Sequence, residues 1–408
     1  MPTTFDTLII GGGASGLMAA CALARGGHRA AILERQPRVG RKLLSTGNGR
    51  CNLTNRRATA ADYHGARQAV QYALKRFPPS AVEAAFDALG IPCDADPEGR
   101  VYPASRQAAS VLDALRLFCD ENGVDTLTDF DVVTLKRIPR GYEAVAADGR
   151  RVQGRTALVC CGGLAAPKLG ATGDGCRLLE AFGHRINPRF PAIAPLKTPT
   201  EPIRGLKGIR AEGSVTLLDG DAPVRTEIGE ILFTDTGVSG IAAMQLARQA
   251  NALLRAGRPC RVRLNLLPES CSLQRRAQSI PRRPMEDFLN GIVARRLGQT
   301  LVRAAGLDPA RPASALTPAE LCRLEQTLAG WTLPVTTTAG FDQAQVTAGG
   351  ASLRDFDART LQSLRASGLY AAGETLDVDG DCGGYNLQWA WASALLAADS
   401  ISKSLRPQ

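Results

Sequence analysis

Histidine is scarce in this sequence: His28, His64 and His184 are the only three. The 11 cysteines include no Cys-x-x-Cys pair, so the usual zinc ligand sets are missing and no metal site is expected. An odd number of scattered cysteines is also a poor disulfide framework and fits a reducing, cytoplasmic setting. No apolar run reaches membrane-spanning length, and the first strand starts too near residue 1 to leave room for a signal peptide. No membrane partner is expected. Basic residues outnumber acidic ones by 49 to 39, a net +10, yet they form no long basic run and no aromatic-interleaved basic motif. A nucleic-acid partner is therefore not expected, and the charge reads as a surface suited to an anionic substrate or cofactor. The oligomeric state is not legible.

What is present is an ordinary globular composition, 44% hydrophobic and 22% charged over 408 residues, enough for two or three domains. Its informative stretch comes first. The apolar run Phe5 to Ile10 enters Gly11-Gly12-Gly13-Ala14-Ser15-Gly16, which opens a helical Leu17 to Ala24. Gly11 permits the tight turn, Gly13 lets a pyrophosphate approach the backbone, and Gly16 allows helix to pack on strand. Free N–H groups at the helix start favour the phosphates. A second apolar run, His28 to Leu33, ends in Glu34, placed to accept ribose hydroxyls and to repel a 2′-phosphate. This implies FAD or NAD rather than NADP; the bland alternative is a glycine turn that binds nothing.

Gly40 to Asn55 is dense in glycine and hydrogen-bonding side chains, with Lys42 and Arg50 to supply charge, and reads as a loop in which the cofactor continues. Helices are expected at 66–76, 80–89 and 108–122. Strands follow at 125–127, 131–138, 142–146 and 151–153, an antiparallel meander with a turn at Asp148-Gly149; by analogy Val132-Val133 passes the adenine. Ala157 to Gly163 reads as a separate buried parallel strand ending under the cofactor at Gly162, its Cys160-Cys161 pair being core residues or, less simply, a redox pair. Asp174 is expected to cap a helix over 176–182.

Composition shifts near Pro188. Residues 190–338 are expected to form an inserted substrate or cap domain, with strands at 213–218, 224–228, 230–234 and 261–267 and helices at 242–256, 285–305 and 318–328. Residues 1–189 and 339–408 are expected to form a discontinuous Rossmann-like domain. Gly368 to Glu374 returns as a strand, and Asp381 to Gln388 leads into an apolar helix through Gly384. A second glycine-rich helix start suits a ligand long enough to need both ends held, which favours FAD, with the isoalloxazine beside the C-terminal helix and Glu374 near the ribityl chain.

Gly11 to Gly16, Gly40 to Asn55, Val101-Tyr102-Pro103, Val346 to Gly350 and Gly373 to Gln388 together resemble the BaiN/YhiN-type, or aminoacetone oxidase, family of FAD-binding flavoproteins, over essentially the whole chain. The resemblance implies an α/β fold: a two-part FAD domain with parallel sheet and antiparallel meander, and an inserted β-barrel-like and helical domain closing over the flavin. It implies FAD contacts from Gly13, Ala14, Gly16, Glu34, Arg35, Lys42, Asn48, Gly49, Cys51, Glu374, Asn386 and Leu387. It also implies an NAD(P)/FAD-dependent oxidoreductase, with hydride moving to or from flavin N5 and a small organic substrate between the two domains. Cys51 stands alone, which disfavours a dithiol reductase, and no second dinucleotide fingerprint appears, so NAD(P)H would bind transiently or dioxygen would reoxidise the flavin. Cys51 and Tyr385 are the candidate catalytic residues, with Tyr102 behind them; the plainer alternatives are a cysteine that packs in the loop and tyrosine hydroxyls bonded to backbone. A flavin-binding redox sensor is the competing reading.

Overall fold

The computed structural model describes residues 4–406. The chain packs as two compact units, one made of residues up to Phe190 and from Val346 onward, the other of Pro191–Gln345.

In the first unit, Asp125–Leu127, Ala30–Leu33, Thr4–Ile10 and Arg151–Val159 lie side by side in that order, all parallel. Leu8, Ile9, Ala30, Ala31, Ile32, Ala157, Leu158 and Val159 are all fully buried, as parallel strands covered on both faces must be. The sequence reading divides 151–161 into two strands; the structure has one. Its first half pairs antiparallel with Gly141–Ala146, Arg151 opposite Val145, and its second half pairs parallel with Leu369–Ala371, Ala157 opposite Leu369. Polar Thr156 does not interrupt it because its hydroxyl meets that of Thr7 at 2.9 Å in the buried sheet. Val132–Ile138 completes the meander on Gly141–Ala146.

Ala14–Arg25 follows the first strand. It packs against the C-terminal helix Tyr385–Leu405, and its buried Cys21 lies against Leu115 and Cys119 of the helix Ala108–Glu121. That helix starts at residue 385, four residues earlier than expected. Asp174 is not a cap: Gly173, in left-handed conformation, takes the N-cap position, and Asp174 is the first helical residue, bound to Arg35 and Thr172.

In the second unit, a seven-stranded antiparallel sheet runs Trp331–Pro334, Cys260–Asn265, Arg210–Asp219, Ala222–Phe233, Gly237–Ser239, Leu196–Lys197, Thr337–Thr338. The two strands expected at 224–228 and 230–234 are one, since Gly229, at φ +147, pairs with Gly213 without breaking the ladder. The helix expected at 285–305 is two, Met285–Phe288 and Arg295–Ala304, separated by a turn in which Gly291 is left-handed at φ +88. The helix expected at 242–256 likewise divides at Leu246. Residues 339–345 pack with this unit rather than the first: the N–H groups of Ala339 and Gln345 donate to the carbonyls of Pro195 and Ile193 at 2.8 and 3.1 Å.

Candidate cofactor site

The glycine turn divides sharply into structural and vacant positions. A Cβ at Gly11 would lie 2.6 Å from the Cys160 carbonyl oxygen, and one at Gly16 2.0 Å from that of Gly11. These two glycines therefore permit strand, turn and helix to meet. At Gly13 a Cβ would meet no protein atom within 4 Å, and its φ of −82° suits any residue. The protein itself thus sets no steric need for glycine there, and the open face over the turn leaves room for a ligand to approach the backbone. The helix it caps has no side-chain cap and no acidic residue in its first turn, so its first N–H groups remain available to an anion. Ala14 and Ser15 lie in that turn, Ser15 buried.

Glu34 ends the second strand with its carboxylate turned back on the glycine turn, accepting the Gly12 and Gln36 N–H groups at 2.8 Å each. Burial pushes its carboxyl above the ordinary range, against the pull of those two N–H donors and of Arg35. Arg35 itself is held by Asp174 at 2.8 Å and Asp131 at 3.4 Å. Val133 is 37% exposed, and its carbonyl accepts from Arg177.

Beyond Gly40 the loop is built from left-handed residues: Gly47, Asn48 and Gly49 have φ of 56°, 55° and 81°, and Cys51 follows at 56°. A Cβ at Gly49 would again meet nothing within 4 Å. Cys51 is fully buried, and burial pushes its thiol up to about 12 despite a hydrogen bond to Thr46. Such a buried, protonated thiol suits packing in the loop better than a thiolate nucleophile.

Lys42 Nζ reaches Glu374 Oε2 at 2.8 Å. The other Glu374 oxygen accepts the Thr347 N–H at 2.6 Å. The Thr347 hydroxyl in turn accepts from the N–H groups of Leu164 and Ala165 at 2.8 and 2.9 Å, while the Gly162 N–H donates to Thr375 Oγ1 at 3.0 Å. Thr347 is thus the hinge pin between the strand end at Gly162 and the returning segment, a role with no sequence signal beyond its place beside two glycines.

The C-terminal helix begins at Gly384, φ +99, again without a side-chain cap. The Asn386 amide is engaged with Gly380 N–H and C=O and with the Asp381 carbonyl, so its side chain ties the preceding loop and its backbone is what remains for a cofactor. Leu387 is partly buried in the first turn. Gln388 and Trp391 fasten the helix to the glycine-rich loop: Gln388 Oε1 accepts from Thr54 at 2.6 Å, and Trp391 Nε1 donates to the Leu53 carbonyl at 2.9 Å. Trp389 Nε1 donates to the Gly373 carbonyl at 3.1 Å. The Tyr385 ring stands edge-on to Tyr63, centroids 6.2 Å apart, and Tyr63 Oη donates to the Tyr385 carbonyl. Burial raises the Tyr385 phenol. His64, beyond any sequence motif, comes within 3.6 Å of Asp381 through the pairing of 63–65 with 378–380.

Two helix starts without side-chain caps, a carboxylate turned onto the first of them and a lysine–glutamate pair fit an extended dinucleotide. The class is that of FAD-dependent oxidoreductases. Residues 5–400 match the family described as the HI0933-like protein Rossmann domain, and the chain belongs to that family. It is 38% identical over 404 residues, 97% of this chain and 98% of the relative, to 3-dehydro-bile acid delta(4,6)-reductase of Clostridium scindens. It is 28% identical over 407 residues, 98% of each chain, to ribosomal RNA dihydrouridine synthase of Haemophilus influenzae. The fold is shared with 3-ketosteroid delta1-dehydrogenase from Sterolibacterium denitrificans, TM-score 0.52 at 12% identity over 98% of this chain and 100% of that one. It is also shared with a flavocytochrome c3 fumarate reductase, TM-score 0.50 at 16% identity over 99% and 79%. A relative named for ribosomal RNA leaves the expected absence of a nucleic-acid partner unsupported. No helix among the described residues is long and apolar enough to cross a membrane.

Proposed function

We propose that this enzyme reduces a carbon–carbon double bond conjugated to a carbonyl in a small organic molecule, with NAD(P)H binding transiently as the electron donor. The 38% identity across 97% of the chain to a delta(4,6)-reductase carries this reading. Bound FAD supplies hydride transfer at N5. The Gly11–Gly16 turn with Ala14 and Ser15 would hold the pyrophosphate, Glu34 the ribose and Val133 the adenine, with Arg35 steadying that end. Lys42, Asn48, Gly49, Arg50, Gly162, Glu374, Gly384, Asn386 and Leu387 would line the flavin end. There the uncapped C-terminal helix favours negative charge on the ring, and Lys42, paired with Glu374, fixes the carboxylate in place. Tyr385, whose phenol burial raises, would give the proton that completes the reduction.

A second reading, reduction of a uridine in RNA, draws on the 28% relative and on the net charge of +10. One experiment separates them. FAD-loaded protein is reduced anaerobically by NADPH or NADH, then mixed with a conjugated enone or with a uridine-containing RNA. Rapid return of the oxidised flavin spectrum with the enone supports the first reading, and return with RNA alone supports the second. Reduced protein that ignores both, while an amine bleaches the oxidised form, overturns the reductase reading in favour of an oxidase.

A further inference from the structure

Of the arginines around the glycine-rich loop, Arg56 pairs with Glu83 at 2.7 Å and Arg100 with Asp96 and Glu98 at 2.7 Å each, while Arg41 donates to the Gln36 side chain and the Lys168 carbonyl and Arg57 to the Pro97 carbonyl. Arg50 and Arg106 share a third environment. Among the described residues neither has a carboxylate partner; instead both guanidiniums lie over the ring of Tyr102, 5.3 and 4.7 Å from its centroid. Tyr102 is only 5% exposed, so the ring is a fixed platform carrying two like charges. Cation–π attraction at exposed sites is worth about 0.5–1 kcal/mol, which offsets part of the repulsion. An anion between or beside the charges would remove it.

The place of this pair matters as much as its charge. Arg50 Nε donates to the Gly47 carbonyl at 3.2 Å, and a Cβ at Gly47 would lie 3.7 Å from the Tyr102 ring. The same loop then runs under the start of the C-terminal helix, where a Cβ at Gly384 would lie 2.5 Å from the Thr54 carbonyl oxygen and 2.7 Å from Asn52 Oδ1. Asn52 Oδ1 is buried with no hydrogen-bond partner. Arg50 therefore belongs to the loop that would close the flavin end, and Arg106, just after the strand Arg100–Pro103, shares its Tyr102 platform. Arg106 occupies a left-handed conformation, φ +53, which holds its side chain on the platform at some backbone cost.

We propose that Arg50 and Arg106 form an anion-recognition fork at the flavin end of the site, and that the substrate carries a carboxylate or phosphate group besides its conjugated carbonyl. The fork rests on the reductase reading for the rest of the substrate. Planar guanidiniums match both oxyanions through paired N–H donors.

The test is an equilibrium titration of oxidised, FAD-loaded protein with 4-oxopent-2-enoate and with its methyl ester, followed by the flavin difference spectrum and paired with turnover of both. The acid should bind at least about tenfold tighter than the ester, as loss of one charge-assisted contact implies, and salt should weaken the acid alone. Arg106→Gln should remove most of that preference while FAD content and melting temperature hold, and Arg50→Gln should remove it in protein reconstituted with saturating FAD. Arg106→Lys, which keeps the charge, should keep part of it, and Arg137→Gln on the meander should keep all of it. Competition by inorganic phosphate assigns a site that also takes phosphate; none assigns a carboxylate. Equal binding of acid and ester, or a preference that survives the double Gln variant, overturns the fork. An acid that binds preferentially but is never reduced leaves the fork standing and removes the reductase reading.

Discussion

Lys42 Nζ lies 2.8 Å from Glu374 Oε2, joining two residues 332 positions apart. The pair is partly exposed, 31% and 20% by side chain, so its direct coupling should be modest, about 1 kcal/mol in a double-mutant cycle. Its greater effect is positional, because Glu374 also fixes Thr347. Lys42→Met should weaken FAD binding about tenfold, the scale of one charged hydrogen bond, and Glu374→Gln more. Fluorescence titration of apoprotein with FAD measures both; Glu374→Gln with unchanged affinity would show that the pair lies outside the site.

Glu34 makes FAD binding depend on pH. Its carboxyl is raised in the folded apoprotein chiefly by burial, from an ordinary 4.5. The folded state therefore holds the proton more tightly than the unfolded chain, and Glu34's contribution to apoprotein stability is complete below about 4.5 and lost as pH rises through the raised value. Ribose hydroxyls favour the carboxylate, so FAD affinity should fall as pH drops through that value. Glu34→Gln should bind FAD more weakly at neutral pH and flatten the dependence. A wild-type affinity independent of pH across the acid range would exclude this role.

Tyr385→Phe keeps the ring contact with Tyr63 and removes only the hydroxyl. Reduction of the double bond should slow by about 100-fold, the low end for loss of a general acid, with FAD content unchanged. A rate and solvent isotope effect equal to wild type would assign the proton elsewhere.

Cys51 should resist alkylation in the native protein at pH 8, since its thiol is buried and pushed up to about 12. Exposed Cys322 should react first, as read by peptide mass mapping. Rapid labelling of Cys51 with loss of flavin reduction would restore it as a catalytic candidate.

Much of the first unit was legible because its signals are local. The apolar first strand, the glycine turn and Glu34 follow one another within a single strand–helix–strand unit, and each carries its own steric or polar reason. The second unit was read less well: its strands at 222–233 and its helices near 246 and 291 depend on where glycine and leucine bend the chain, which local composition does not fix. The site residues found late share one cause. Thr347, His64 and the Lys42–Glu374 pairing arise from contacts across long stretches of chain, and the engagement of the Asn386 amide with Gly380 is not legible from its place in the motif. The burial of Cys51 agrees with the packing role that a lone cysteine suggests.

The most direct measurement compares Gly13→Val with wild type for FAD retention and apoprotein melting temperature. A side chain at Gly13 meets no protein atom within 4 Å, unlike one at Gly11 or Gly16. The variant should fold with an unchanged melting temperature and lose its bound FAD even after reconstitution. A Gly13→Val protein that retains a full complement of FAD at wild-type affinity would contradict the assignment of this turn, and with it the single site built from both ends of the chain.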